Sequence, residues 1–123
     1  MILGKINAQR EAVITIMVLD SAGDCQPVEA TIDTGFTGSL TLPHKYIEDL
    51  ELLLTGTRLA GLADGSQVTL NSYAAHVNWH DQVKEVSVIE AEGGPLIGMK
   101  MLEGSLVTLD VKENGRVEIE QQP

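Results

Sequence analysis

A carboxylate at the end of an apolar strand constrains this chain more than any other feature. Ala30-Thr31-Ile32 has the β-branched character of a strand and delivers Asp33 into a turn through Thr34-Gly35. Leu40 and Leu42 then resume an alternating pattern that ends at Pro43. Strands ordinarily end in solvated turns and keep their acids outside. A buried acid in this place is costly unless donors converge on it or it shares a proton. Gly35 permits close backbone approach, so its N–H can reach the acid, and Thr34 adds a short hydroxyl that donates or accepts across a tight interface. One such acid alone cannot serve as general base and general acid at once. Two acids held about a hydrogen bond apart cannot both ionise, so one becomes a base and the other an acid near the same pH.

The rest of the chain reads as a mostly-β frame. Ile2 to Asn7 fits a short strand, and Glu11 to Leu19 a stronger one, apolar enough to be covered on both faces. Asp20 to Asp24 forms a turn, and Val28 to Ile32 returns as the second arm of a hairpin. Tyr46, Ile47, Leu50 and Leu53 stand at helical spacing, which predicts one short helix ending at Thr55-Gly56. Asp64-Gly65 lies between two extended runs, Thr57 to Ala63 and Gln67 to Trp79. That pairing is a hairpin signal, and the polar, small-residue arms predict a projecting tip. Gln82 to Ile89 reads as the return strand after His80-Asp81. Pro95-Leu96-Ile97-Gly98 is a short apolar segment running into a glycine, and Met99 to Glu103 fits a helical turn. Leu106 to Val111 and Val117 to Ile119 are strands joined through Asn114-Gly115. No linker, low-complexity tract or long repeat interrupts the 123 residues, so a single domain with an all-β barrel and one or two short helices is expected.

At this point the chain resembles a known family. The apolar lead into Asp33-Thr34-Gly35 is similar to the active-site loop of retropepsin-like (clan AA) aspartic proteases, in particular their small bacterial single-domain members. Leu96-Ile97-Gly98 resembles the family's later segment of two apolar residues and a glycine, which passes under that loop and precedes a short helix. Residues 61 to 66 fall where the family keeps its flap. Over roughly residues 2 to 120 the resemblance implies a closed β-barrel of the acid-protease type and one such domain over 1–123. It implies an aspartic endopeptidase, with Asp33 catalytic, Thr34 and Gly35 in the active-site loop, and Leu62, Ala63, Asp64, Gly65 and Ser66 in the flap. Leu96, Ile97 and Gly98 would line the substrate cleft. No cofactor or metal is implied.

The family's single-domain members carry one catalytic aspartate and complete the dyad by dimerising. No second Asp-Thr/Ser-Gly occurs here, since Asp20, Asp64 and Asp110 all stand in other contexts. The expected partners are therefore a second copy of the chain and a peptide or protein substrate, with Thr34 bracing the partner's loop. The terminal strands around Ile2 to Ile6 and Val117 to Ile119 are candidates for pairing at the interface. The resemblance departs from the viral members at Phe36-Thr37 and Met99-Lys100, where those carry an acid and a base that lock the dimer. A reading from another class stands beside the enzyme: the same fold used as a non-catalytic peptide-binding or dimerisation module.

Composition narrows the alternatives. Aromatic residues are 3% against 43% hydrophobic, so the core must be aliphatic. A formal net charge of −10 argues against nucleic acid and anionic membrane surfaces as partners. The single cysteine, Cys25, excludes an intramolecular disulfide and reads as an incidental thiol. The N-terminus lacks a basic region followed by an apolar run, and the longest apolar stretch is too short to span a bilayer, which points to a cytoplasmic protein. His76 and His80 lack a third metal ligand at a recognisable spacing and read as strand residues. Ser39 and Ser66 have no histidine in a triad-like context.

Overall fold

The structure, a computed structural model, describes residues 1–123. Strand makes up 55% of the chain and helix 9%, so the fold is mostly β, as expected. In chain order the elements are β1 (Ile2–Ile6), β2 (Ala12–Leu19), β3 (Cys25–Ile32), β4 (Leu40–Leu42), α1 (His44–Leu50), β5 (Leu53–Gly61) and β6 (Gln67–Trp79). They continue with β7 (Gln82–Glu90), β8 (Leu96–Ile97), α2 (Met99–Leu102), β9 (Ser105–Leu109) and β10 (Arg116–Gln121). Neither helix is long and apolar enough to cross a membrane.

All ten strands belong to one sheet in the order β5-β6-β7-β4-β8-β3-β2-β1-β10-β9. An additional pairing of β6 with β2 joins six of them, β2, β3, β8, β4, β7 and β6, into a ring. That closure is short, resting on Met17 opposite Asn78 and Val18 opposite Val77. The core fills with aliphatic side chains taken from alternate positions: Ile14, Ile16 and Val18 from β2, Val28 and Ala30 from β3, and Val77, Val88 and Ile97 from β6, β7 and β8. Outside the ring, β5 extends one side, and β1, β10 and β9 extend the other. Val117 and Ile119 of β10 are fully buried, so this extension shares the core.

Three expectations change. β2 is not covered equally on both faces: Ala12, Ile14, Ile16 and Val18 are buried, whereas Val13, Met17 and Leu19 are half-buried and Thr15 is exposed. β-branched residues suit a pleated strand whether or not their face is buried, so a continuous apolar run overstates coverage. The helix ends at Leu50 rather than Leu53. Glu51 takes a left-handed conformation (φ 53°), and Leu52 N–H closes the turn onto Ile47 C=O. Leu53 then opens β5 and is 73% exposed. The run Leu52-Leu53-Leu54 fits either period, and the left-handed residue before it decides for strand. Finally, the terminal strands have no free edge to offer a partner. β1 lies between β2 and β10, and β10 lies between β1 and β9.

Candidate active site

The Asp33 loop is the short connection between β3 and β4, and β8 runs between its two arms. β8 pairs parallel with β3, Thr31 opposite Leu96 and Ile32 opposite Ile97. It pairs antiparallel with β4, Leu40 opposite Ile97 and Thr41 opposite Leu96. The two-residue strand thus plugs the gap that the loop must span. Thr41, itself buried, completes the joint by accepting Leu96 N–H on its hydroxyl at 3.1 Å. Nothing in the residue spacing announces this bond.

The chain laces the loop down onto the segment that follows β8. Asp33 N–H donates to Ile97 C=O at 2.9 Å, and Gly98 N–H to Ser39 C=O at 3.0 Å. Met99 N–H donates to Phe36 C=O at 2.8 Å and Lys100 N–H to Gly38 C=O at 3.1 Å. Gly98 permits this approach. A Cβ there would stand 2.2 Å from Gly38 O, 2.5 Å from Phe36 Cδ2 and 2.7 Å from Phe36 O. Backbone donors and acceptors are therefore used up in fixing the loop, as buried backbone groups require.

Asp33 itself is half-buried within one chain, rather than buried. Gly35 N–H donates to its Oδ1 at 2.9 Å, the contact expected from the sequence. The five ion pairs of the chain lie elsewhere, so no basic side chain neutralises Asp33. Thr34 is exposed and lines an apolar groove of about 340 Å³ with Ile32, Met99, Leu102, Val107 and Leu109. Of the three cleft residues expected from sequence, Ile97 is fully enclosed in the core and Gly98 is buried under Phe36, while Leu96 is half-exposed. Ile97 and Gly98 position the loop through their backbone. Alternation along β8 turns the Ile97 side chain into the core and the Leu96 side chain to the opposite face.

Residues 61 to 66 form the tip of the β5–β6 hairpin. Leu62 N–H donates to Ser66 C=O at 2.8 Å, and Gly65 N–H to Leu62 C=O at 3.0 Å. Gly65 has φ +86°, which explains the glycine. Asp64 Oδ1 accepts Ser66 N–H at 2.9 Å and the Ser66 hydroxyl at 2.6 Å. The hydroxyl bond, followed by the backbone bond, holds the Asp64 carboxyl below its ordinary range. Leu62, Ala63, Asp64, Gly65 and Ser66 are all exposed, and β5 is exposed along nearly its whole length. The tip projects, as the polar arms predict.

The two histidines do not converge. His76 lies 3.9 Å from Glu85 across the β6–β7 ladder. His80 sits in the turn after β6, in a left-handed conformation, with Nε2 2.8 Å from the Ser105 hydroxyl. Burial holds the His80 imidazole below its ordinary pKa. The features least visible in the sequence are Met99, Val107 and Leu109, which share a groove with Thr34; the one signal for the last two is the uncharged run Ser105 to Leu109.

No protein-family model matches the chain, and no curated protein matches it.

Proposed function

We propose that the chain is one half of a homodimeric aspartic endopeptidase of the retropepsin-like type, its six-stranded ring being that family's barrel. The observation that carries this reading is the Asp33 loop. A lone carboxylate with no basic partner is held by its backbone onto Ile97 to Lys100, with Gly98 making room beneath it. That much fixation suits a group that must meet a symmetry mate within hydrogen-bond distance.

In the dimer the two Asp33 carboxylates hold one proton between them. The ionised one takes a proton from a bound water as the water oxygen attacks the scissile carbonyl carbon. The protonated one gives its proton to the carbonyl oxygen, producing a neutral gem-diol. Collapse of that intermediate breaks the C–N bond, with a proton passed from a carboxyl to the leaving nitrogen. Thr34 braces the facing loop, and the hairpin tip from Leu62 to Ser66 covers the bound peptide. Met99-Lys100 and Phe36-Thr37 favour one competing reading, a peptide-binding or dimerisation module, because they lack the acid–base pair that locks viral dimers. Digestion of a peptide library between about pH 3 and 7, a window set by carboxylate-dyad titration, distinguishes the two. Wild-type protein should cleave at mildly acidic pH, and Asp33→Asn should not. Equal cleavage by the variant sinks the enzyme.

A further inference from the structure

The single sheet has two free edges, and they are built differently. β5, at one end, carries a bulge between Leu54 and Gly56 and the charged Arg58. Bulges and charges are the usual devices that keep an edge from pairing with another chain. β9, at the other end, has neither. Its sequence Ser105-Leu106-Val107-Thr108-Leu109 contains no charge and no proline in a chain of net charge −10. Leu106 is 52% exposed and Leu109 41%.

The backbone of β9 is also unspent on its outer side. Asp110 N–H bonds Arg116 C=O and Gln122 N–H bonds Gly104 C=O, in the same register as the β9–β10 ladder. Antiparallel ladders alternate, so Gly104, Leu106, Thr108 and Asp110 direct their polar groups to β10. The N–H and C=O groups of Ser105, Val107 and Leu109 therefore point away from the sheet. The side chains of the same three residues line the groove that holds Thr34 and Met99.

We propose that β9 is the seam of the homodimer: two copies pair edge to edge, antiparallel, with Val107 opposite Val107 on the two-fold axis. This rests on the dimeric reading of Asp33 and says where that dimer forms. The register sets Ser105 opposite Leu109 of the second copy, satisfying every outward group of the strand. It sets Glu103 opposite Val111 and Asp110 opposite Gly104, so no carboxylate faces a carboxylate. Like charge repels two copies of so acidic a chain at most other surfaces. An axis through Val107 perpendicular to the sheet keeps both grooves on the same side. Both Thr34-bearing loops then stand on one side of the seam, which a shared pair of Asp33 carboxylates requires.

Val107→Cys in a Cys25→Ser background tests the seam. Residues opposite one another in a hydrogen-bonded antiparallel pair have Cα atoms about 5.5 Å apart, inside the range a disulfide spans. Under mild oxidant at micromolar concentration this variant should run as a covalent dimer on a non-reducing gel, and Leu59→Cys on β5 should not. Val107→Pro removes an outward N–H without touching the β10 ladder, a place where an edge strand accepts proline. By sedimentation it should raise the dimer dissociation constant at least about tenfold, the effect of two hydrogen bonds lost symmetrically. Leu109→Lys reads the same quantity should the proline variant not fold. A wild-type dimer that is neither cross-linked through Val107→Cys nor weakened by Val107→Pro or Leu109→Lys overturns the seam and leaves the peptidase reading standing. A wild-type monomer overturns both. A cross-linked dimer without peptidase activity upholds the seam and removes the enzyme.

Discussion

Asp33 and Asp64 make the same local turn in different surroundings. In each, Oδ1 accepts the N–H of the residue two further on, Gly35 or Ser66, at 2.9 Å. Such side-chain turns are a local habit of aspartate. Around Asp64 every further bond is local as well: Leu62 to Ser66, Gly65 to Leu62, and the Ser66 hydroxyl to Asp64. Around Asp33 one further bond is local, Phe36 N–H to Asp33 C=O, and the others run to Ile97, Gly98, Met99 and Lys100, far along the chain. Asp20 repeats the local pattern a third time, and Gln26 engages its second oxygen. Among the three, only Asp33 combines a backbone anchored at long range with a carboxylate that no other side chain draws on. The turn alone does not make a site. What sets Asp33 apart is a main chain fixed at long range under a carboxylate that only the Gly35 N–H engages.

The harshest way to break this comparison is to remove the two charges separately. Asp33→Asn should reduce peptide cleavage by about a thousandfold or more, the loss expected when a general acid–base group is removed. Asp64→Asn should change kcat by no more than about twofold, since its carboxylate serves its own turn. Steady-state rates on one cleaved peptide decide the matter. Comparable losses in the two variants would show that the tip takes part in chemistry and that the contrast in anchoring is misleading.

The glycines give the next largest contrast. Gly98→Ala forces a methyl group against backbone carbonyl oxygens that cannot swing aside, and should destabilise the fold by about 3 kcal/mol. At Gly65 nothing lies within 4 Å of an added Cβ, and only the positive φ opposes it. Gly65→Ala should therefore cost about 1–2 kcal/mol, the ordinary penalty of a left-handed residue. For a chain of this size these correspond to melting-temperature drops of about 12 °C and about 4–8 °C. Equal drops would mean that the Asp33 loop yields as readily as an exposed turn.

Legibility in the sequence divides along the same line. Local signals carry well: the strand character of Glu11 to Leu19, though not which of its faces is buried, the Asp64-Gly65 turn, and the reach of Gly35 N–H to Asp33. Pairings across long separations do not. The insertion of β8 between β3 and β4 depends on parallel and antiparallel ladders that no period in residues 95–98 encodes. Ring closure rests on two residue pairs between β2 and β6. Ile97 shows the consequence: its type and place beside Gly98 are readable, whereas its burial depends on which face of the assembled sheet covers the core. The terminal strands look like free edges in the sequence for the same reason, because only the ladders show that β1 and β10 each have two neighbours.

The smallest expected effect lies at the tip. Ser66→Ala removes the 2.6 Å hydroxyl bond that contributes most to lowering the Asp64 pKa, so the carboxyl should titrate closer to its ordinary value of 3.8. The sign for stability follows from linkage. A carboxylate whose pKa is lower folded than unfolded stabilises the fold above its unfolded pKa, and that contribution disappears as pH falls through the folded value. The variant should therefore lack part of that contribution above about pH 4, and its stability should converge on that of wild type as pH falls below that value. Carboxyl-carbon NMR titration of Asp64 reads the shift directly. Because the bond is local and exposed, kcat on a saturating peptide should stay within about twofold of wild type. A larger fall in kcat would mean that the Ser66 hydroxyl reaches beyond its own turn to the bound peptide, giving the tip the kind of long-range contact that now separates Asp33 from Asp64.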